Sequence, residues 1–136
     1  MLKLVVLVSL FAASLASFKF NVKPELVQSW HKFTLPPHDV CVDKEYISKE
    51  RLDSAFENME FPDDTQFKCM VVCIFERLKF YNKGKGTYNH EVMIEEINGL
   101  TQEIADKCYK TRGSADDDDC EHIFHGATCA IRALEE

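Results

Sequence analysis

Residues 62–81 read Pro-Asp-Asp-Thr-Gln-Phe-Lys-Cys-Met-Val-Val-Cys-Ile-Phe-Glu-Arg-Leu-Lys-Phe-Tyr. Acidic residues at 63 and 64 suit the positive end of a helix, and the pattern predicts a helix from there to about Tyr81, before the Asn82-Lys-Gly-Lys-Gly loop. At about 100° per residue, Cys69 and Cys73 share one side. Phe67, Val71, Phe75 and Leu78 fall on the other, with Met70, Val72 and Ile74 between them. A helix apolar nearly all round is buried among others. One of its faces meets disulfide partners, and the other meets a core or a cavity.

Working outward, the cysteines are Cys41, Cys69, Cys73, Cys108, Cys120 and Cys129, separated by 27, 3, 34, 11 and 8 residues. An even set of six reads as three disulfides if the compartment is oxidising. Cys69 and Cys73 project from the same face of one helix, so they are poorly placed to bond each other and should tie that helix to two other elements. Zinc is the rival reading. It is disfavoured because no Cys-x2-Cys pair is present.

The compartment is indicated by residues 1–16. Lys3 is a positive flank, Leu4 to Leu15 is almost wholly apolar, and Ser14 and Ala16 are small residues placed for cleavage. This predicts a signal peptide over 1–16 and one domain over 17–136, secreted and extracellular. A membrane anchor is the alternative, but the run is short for about 30 Å of hydrocarbon. The whole chain carries −7, and removal of Lys3 makes it one unit more acidic. Such a surface argues against nucleic acid and against attachment to anionic membranes. No Asn-x-Ser/Thr sequon occurs.

The remaining chain reads as helices. Pro24 can sit in a first turn, and Leu26, Val27, Trp30 and Phe33 follow at near-helical spacing until Pro36-Pro37 is expected to stop the run. A second helix starts near Ser48 as cap, with Leu52, Ala55 and Phe56 on one side. Asn89 caps a fourth with Met93, Ile94 and Ile97, ending at Asn98-Gly99. A fifth runs from Thr101 through Ile104, Ala105 and Cys108 to just before Gly113. The sixth starts within Asp116 to Asp119 and places Cys120, Ile123, Phe124, Ala127, Ala130, Ile131 and Leu134 on one side. No segment alternates with period two for long enough to be a confident strand. The fold class is therefore all-α, a compact bundle of about six helices.

With the cysteine spacing, the leader and these helices in place, the chain resembles the six-cysteine insect odorant-binding proteins, in their pheromone-binding and general odorant-binding branches. The resemblance spans the whole chain and rests on the ruler Cys-x27-Cys-x3-Cys-x34-Cys-x11-Cys-x8-Cys, whose x34 gap is slightly short. It implies the pairings Cys41–Cys73, Cys69–Cys120 and Cys108–Cys129 around an apolar pocket for pheromones, plant odorants or fatty molecules. Each bridge would contribute about 2–5 kcal/mol and so offset the packing that a cavity removes. Phe75, two residues after Cys73, and Ala127 and Ala130, flanking Cys129, match places that face ligand in that family. The expected pocket wall is Val71, Phe75, Leu78, Met93, Ile97, Phe124, Ala127 and Ala130, with Phe33, Phe56 and Leu134 as further members. Each such side chain read by itself is equally a core residue.

Among polar groups, Tyr88, Tyr109 and His122 are expected to orient a guest. Of the five histidines, His31, His38, His90, His122 and His125, the expected pH-sensitive pair is His90 and His122, whereas His125 lies on the polar side. Ala130 to Glu136 form a tail too short to enter the pocket as a helix; Leu134 is placed for a lid and Glu135-Glu136 for water. Asp116 to Asp119 lacks the alternating oxygen ligands and glycine of a calcium loop and reads as helix capping in a solvated charge run.

No nucleophile elbow, zinc-protease helix or phosphate loop occurs, so no catalysis, cofactor or resident metal is expected. The reading is a reversible carrier of small hydrophobic molecules, monomeric or homodimeric, with an odorant receptor as a candidate partner and no stable membrane insertion. Two alternatives differ in a checkable way. A saposin-like protein would open onto lipid and cause vesicle leakage. A salivary, venom or seminal scavenger of the same fold would differ in tissue of expression.

Overall fold

The computed structural model describes residues 16–45, 47–111 and 118–136. The leader expected over 1–16, apart from Ala16, lies outside them, as do Gly113, Asp116 and Asp117. The described residues form six helices: α1 Pro24–Glu45, α2 Lys49–Asn58, α3 Thr65–Arg77, α4 His90–Glu96, α5 Gln102–Cys108 and α6 Asp119–Ala133. Two minimal ladders accompany them. The strand β1 (Ser17–Lys19) pairs antiparallel with β2 (Glu60–Pro62), and β3 (Tyr81–Asn82) pairs with β4 (Thr87–Tyr88).

Most helix starts follow from the caps. Ser48 accepts the N–H of Arg51, Asn89 that of Val92, Thr101 that of Ile104 and Asp118 that of Cys120. Asp64 likewise caps α3 by accepting the N–H of Phe67 at 2.8 Å.

The end of α3 corrects the expectation of a helix to Tyr81. Lys79 adopts φ 61°, its N–H donates to Glu76 O at 3.0 Å, and Phe80 N–H donates to Phe75 O at 2.9 Å. This is a Schellman ending, with Phe80 packed edge-on against Phe75 at 5.5 Å. The apolar contact fixes the stop at Leu78, so Tyr81 is free to enter the hairpin.

A second correction concerns α1, which does not stop at Pro36-Pro37 but runs through both. Each proline removes one helical N–H, so the carbonyls of Lys32 and Phe33 lose their usual donors at a cost of about 3 kcal/mol per site. The turn beyond the prolines is held from outside. Cys41 is bonded to Cys73 of α3, and fully buried His38 places Nδ1 2.8 Å from Asp53 Oδ1 of α2. Helix α5 is shorter than expected, ending at Cys108, because Tyr109 leaves the helix with its ring buried in the core.

The three disulfides pair as Cys41–Cys73, Cys69–Cys120 and Cys108–Cys129. Thus α3 is tied to both α1 and α6, and α6 in turn to α5. The apolar circumference of α3 is accounted for: Phe67, Met70, Val71, Val72, Cys73 and Ile74 are all buried. Two contiguous apolar clusters result, a main one around Phe61, Phe67 and Phe124, and a smaller one around Phe80, Met93, Leu100, Ala105 and Tyr109.

Candidate functional site

An apolar cavity of about 80 Å³ lies where the two clusters meet. The face of α1 carrying Val27, Trp30, His31, Phe33 and Thr34 forms one side, and α3 supplies Val71, Ile74, Phe75 and Leu78 opposite. Small Ala127 and Ala130 on α6 form the third side, and Ile97, Leu100 and Leu134 also line the space. The space is below the roughly 300–1,000 Å³ of small-molecule sites, so room for a guest of that size would require the wall side chains to move.

Of the residues expected at the wall, Val71, Phe75, Leu78, Ile97, Ala127 and Ala130 line this cavity, as do Phe33, Phe56 and Leu134. Met93 and Phe124 do not. Met93 is fully buried in the smaller cluster, packed with Phe80, Leu100 and Ala105. Phe124 is spent on solid packing, 5.5 Å from Phe18 and 6.3 Å edge-on from Phe67, with the Lys68 ammonium 5.1 Å from its ring centre. Both occupy the apolar side of their helices, but other side chains fill the space in front of them. Trp30 and Ile74, which helical spacing placed on apolar sides without assigning them to the pocket, are also wall residues, as are His31, Thr34 and Phe61, which it did not single out.

The expected polar groups separate. Tyr109 is on the wall, where burial pushes its phenol pKa upward. Tyr88 and His122 instead belong to an aromatic stack beside Tyr81, with Tyr88 4.9 Å from Tyr81 and 5.7 Å from His122. Tyr88, but not His122, lines an open hollow of about 1000 Å³ that also takes in Lys79, Lys83, Lys85, Lys110, Glu76 and Asp106, a wall too polar to favour an apolar guest.

The expected pH-sensitive pair bonds the two backbone carbonyls that directly follow α5. His90 Nε2 lies 2.6 Å from Tyr109 O, and His122 Nε2 lies 3.0 Å from Lys110 O. A carbonyl only accepts, so each Nε2 carries hydrogen. His125 is exposed, 3.6 Å from Glu121. The deeply buried imidazole is His38, whose pKa is lowered by burial against the raising effect of Asp53. It was hidden because the helix was expected to end before it. Carried through the prolines, α1 puts His31 and His38 two turns apart on one face.

The tail departs from expectation at Glu135, which is half-buried rather than in water. Its carboxylate accepts the N–H of Asn21 at 2.8 Å and bonds the Arg132 guanidinium at 3.0 Å. Among the described residues, no cluster of three or more His, Cys, Asp or Glu could hold a metal ion, and no helix is long and apolar enough to cross a membrane.

The class that these features define is a small, mostly helical bundle tied by three disulfides around an apolar cavity. Residues 23–133 match the PBP/GOBP family, and the chain belongs to it. General odorant-binding protein 99b of Drosophila melanogaster is 28% identical over 102 residues, 68% of this chain and 66% of that protein, so the match spans just under two thirds of the relative's length. Two solved structures share the fold. The blowfly (Phormia regina) fatty acid binding protein OBP56a superposes with a TM-score of 0.55 at 22% identity, over 75% of this chain and 88% of that one. Apis mellifera odorant binding protein 5 gives 0.56 at 21% identity, over 83% and 93%.

Proposed function

We propose that the protein is a secreted, non-catalytic carrier that reversibly binds and transports small hydrophobic molecules such as odorants or pheromones. The observation that carries this reading is the apolar cavity between α1, α3 and α6, inside a frame tied by three disulfides. Burial drives binding, at about 25 cal/mol per Å² of apolar surface removed from water. Residues 17–136 form the binding domain and residues 1–16 its leader. Val71, Phe75, Leu78, Ile97, Ala127 and Ala130 touch the guest, while Met93 and Phe124 support the wall from behind. The name of the blowfly relative supports including fatty acids among the ligands. An odorant receptor is the recipient of the cargo in this reading.

The test is titration of the oxidised protein with an environment-sensitive naphthylamine dye, then displacement by odorants and fatty acids. Saturable one-site binding with displacement is expected. Protein with three intact bridges that binds neither dye nor any competitor has a solid core, and the carrier reading fails.

A further inference from the structure

One polar arrangement borders the apolar wall, and the carrier function as such does not require it. His38 is fully buried, and its Nδ1 lies 2.8 Å from Asp53 Oδ1. A carboxylate only accepts, so Nδ1 carries the hydrogen, and in the neutral imidazole Nε2 is left with a lone pair. That Nε2 is buried without a hydrogen-bond partner. His31 lines the cavity two turns earlier on α1, and its Nε2 is also buried and unpartnered. The two ring centres are 6.3 Å apart, a spacing at which nitrogens that face each other share one oxygen at about 2.8 Å from each. Behind them, His38 packs 5.1 Å from Phe56, itself on the cavity wall.

Buried polar atoms are almost always paired, and two left unpaired on neighbouring rings, with His31 on the cavity wall and His38 behind it, mark a place where a guest completes the bonding. We infer that His31 and His38 form the polar end of the cavity and receive the terminal O–H of an amphiphilic chain molecule, an aliphatic alcohol or a carboxylic acid. The hydroxyl donates to one ring nitrogen and accepts from the other, and Asp53 sets which nitrogen of His38 is the acceptor. The hydrocarbon chain then runs between Phe33, Phe75 and Ala130. An ester of equal length accepts from the His31 N–H but has no hydrogen to donate to His38 Nε2, and an alkane bonds neither, so each leaves buried nitrogen unpaired. This inference rests on the carrier reading and adds the class of head group.

The experiment displaces the bound naphthylamine dye with 1-decanol, decanoic acid, methyl nonanoate and decane, from wild-type protein and from His31→Leu and His31→Gln. Decanol is expected to displace at about tenfold lower concentration than the ester. That ratio should fall towards one in His31→Leu and be partly retained in His31→Gln. Taking the ratio within each protein cancels any change in dye affinity. Decanoic acid following decanol assigns the site to any O–H head, and decanol preferred alone restricts it to alcohols. In parallel, 15N resonances of the His31 and His38 rings in wild-type protein should move with decanol and not with the ester, a readout independent of whether the variants fold. Dye that binds but is displaced equally by decanol and ester, or unmoved ring nitrogens, overturns the polar end and leaves the carrier intact. Failure of the dye and of all four competitors removes the carrier reading itself.

Discussion

The Glu135 carboxylate accepts the backbone N–H of Asn21 at 2.8 Å, joining residues 114 positions apart. The clasp is completed by Glu136 N–H donating to Asn21 O at 3.0 Å and by Arg132, which bonds Lys19 O and sits 4.3 Å over the Phe20 ring. Leu134, the neighbour of Glu135, lies on the cavity rim and against Gly99. Polar contacts between the two ends of the described chain therefore hold an apolar residue over the cavity.

Glu135→Ala should release that residue. The expected outcome is faster hydrogen exchange at Leu134 and Glu136 and dye dissociation accelerated a few-fold, with little change in global stability. The contacts to Asn21 and Arg132 hold the Glu135 carboxyl below its ordinary value. A carboxyl with a depressed folded pKa contributes fully above its unfolded value near 4.3, and the contribution is lost as pH falls through the folded one. The acceleration should thus appear in wild-type protein only below about pH 4, and be absent from Glu135→Ala.

Gly126 lies on α6 where the chain leaves α5. A Cβ there would sit 3.0 Å from Tyr109 Cδ1, 3.1 Å from Cys108 O and 3.2 Å from Tyr88 Oη. Alanine normally stabilises a helix interior over glycine by about 1 kcal/mol. Here the sign reverses, and Gly126→Ala should cost about 1–3 kcal/mol in urea unfolding with an unchanged m-value. A gain in stability would show that the Cys108 carbonyl yields freely.

The bridges should differ by the length of chain they close. Removing Cys69–Cys120, which spans 51 residues, is expected to cost about 4 kcal/mol, and removing Cys108–Cys129, which spans 21, about 3 kcal/mol. Paired Cys→Ser variants compared by denaturant midpoint give the order. The reverse order would place the stabilisation in native contacts rather than in the unfolded chain.

The single tryptophan is Trp30, on the cavity wall at 8% exposure, donating Nε1–H to Asn98 O at 2.9 Å. Its emission should shift or quench as a guest enters, with the same midpoint as the dye signal. Trp30→Phe should abolish the signal and cost about 1–2 kcal/mol, because exposed Asn98 regains water at its carbonyl.

Burial holds His38 neutral by lowering its pKa. Above the ordinary value of about 6.5 both folded and unfolded states carry the neutral ring, so nothing is lost. Below it the unfolded chain gains a proton that the folded one refuses, and stability declines until the lowered folded value is passed. The Tm should therefore fall between pH 7 and 5.5, and His38→Gln should flatten that part of the curve. An unchanged wild-type Tm across this interval would contradict it.

Helix α3 was legible because its signals are local: an acidic cap at Asp64, two cysteines four apart, and apolar residues on every side. Caps at Ser48, Asn89 and Thr101 could be read for the same reason, since each bonds an N–H within three residues. The passage of α1 through Pro36-Pro37 could not, because what offsets the lost hydrogen bonds is a disulfide to Cys73 and an imidazole bond to Asp53, both made by distant residues. With that helix shortened, the pairing of His31 and His38 went unseen.

Amino-acid order alone determined that the helices exist, where most of them start, the apolar side of each and a cysteine spacing whose pairing came with a family resemblance, but not how far α1, α3 and α5 run. Tertiary structure decided which apolar residues border space and which border each other. Phe75 and Phe124 carry the same side chain on helices of similar pattern, yet one lines the cavity and the other is packed against Phe18 and Phe67. The difference lies in what the facing element places opposite, small Ala127 and Ala130 in one case and large rings in the other. Helical periodicity reports the direction in which a side chain points, and packing sets what it meets there.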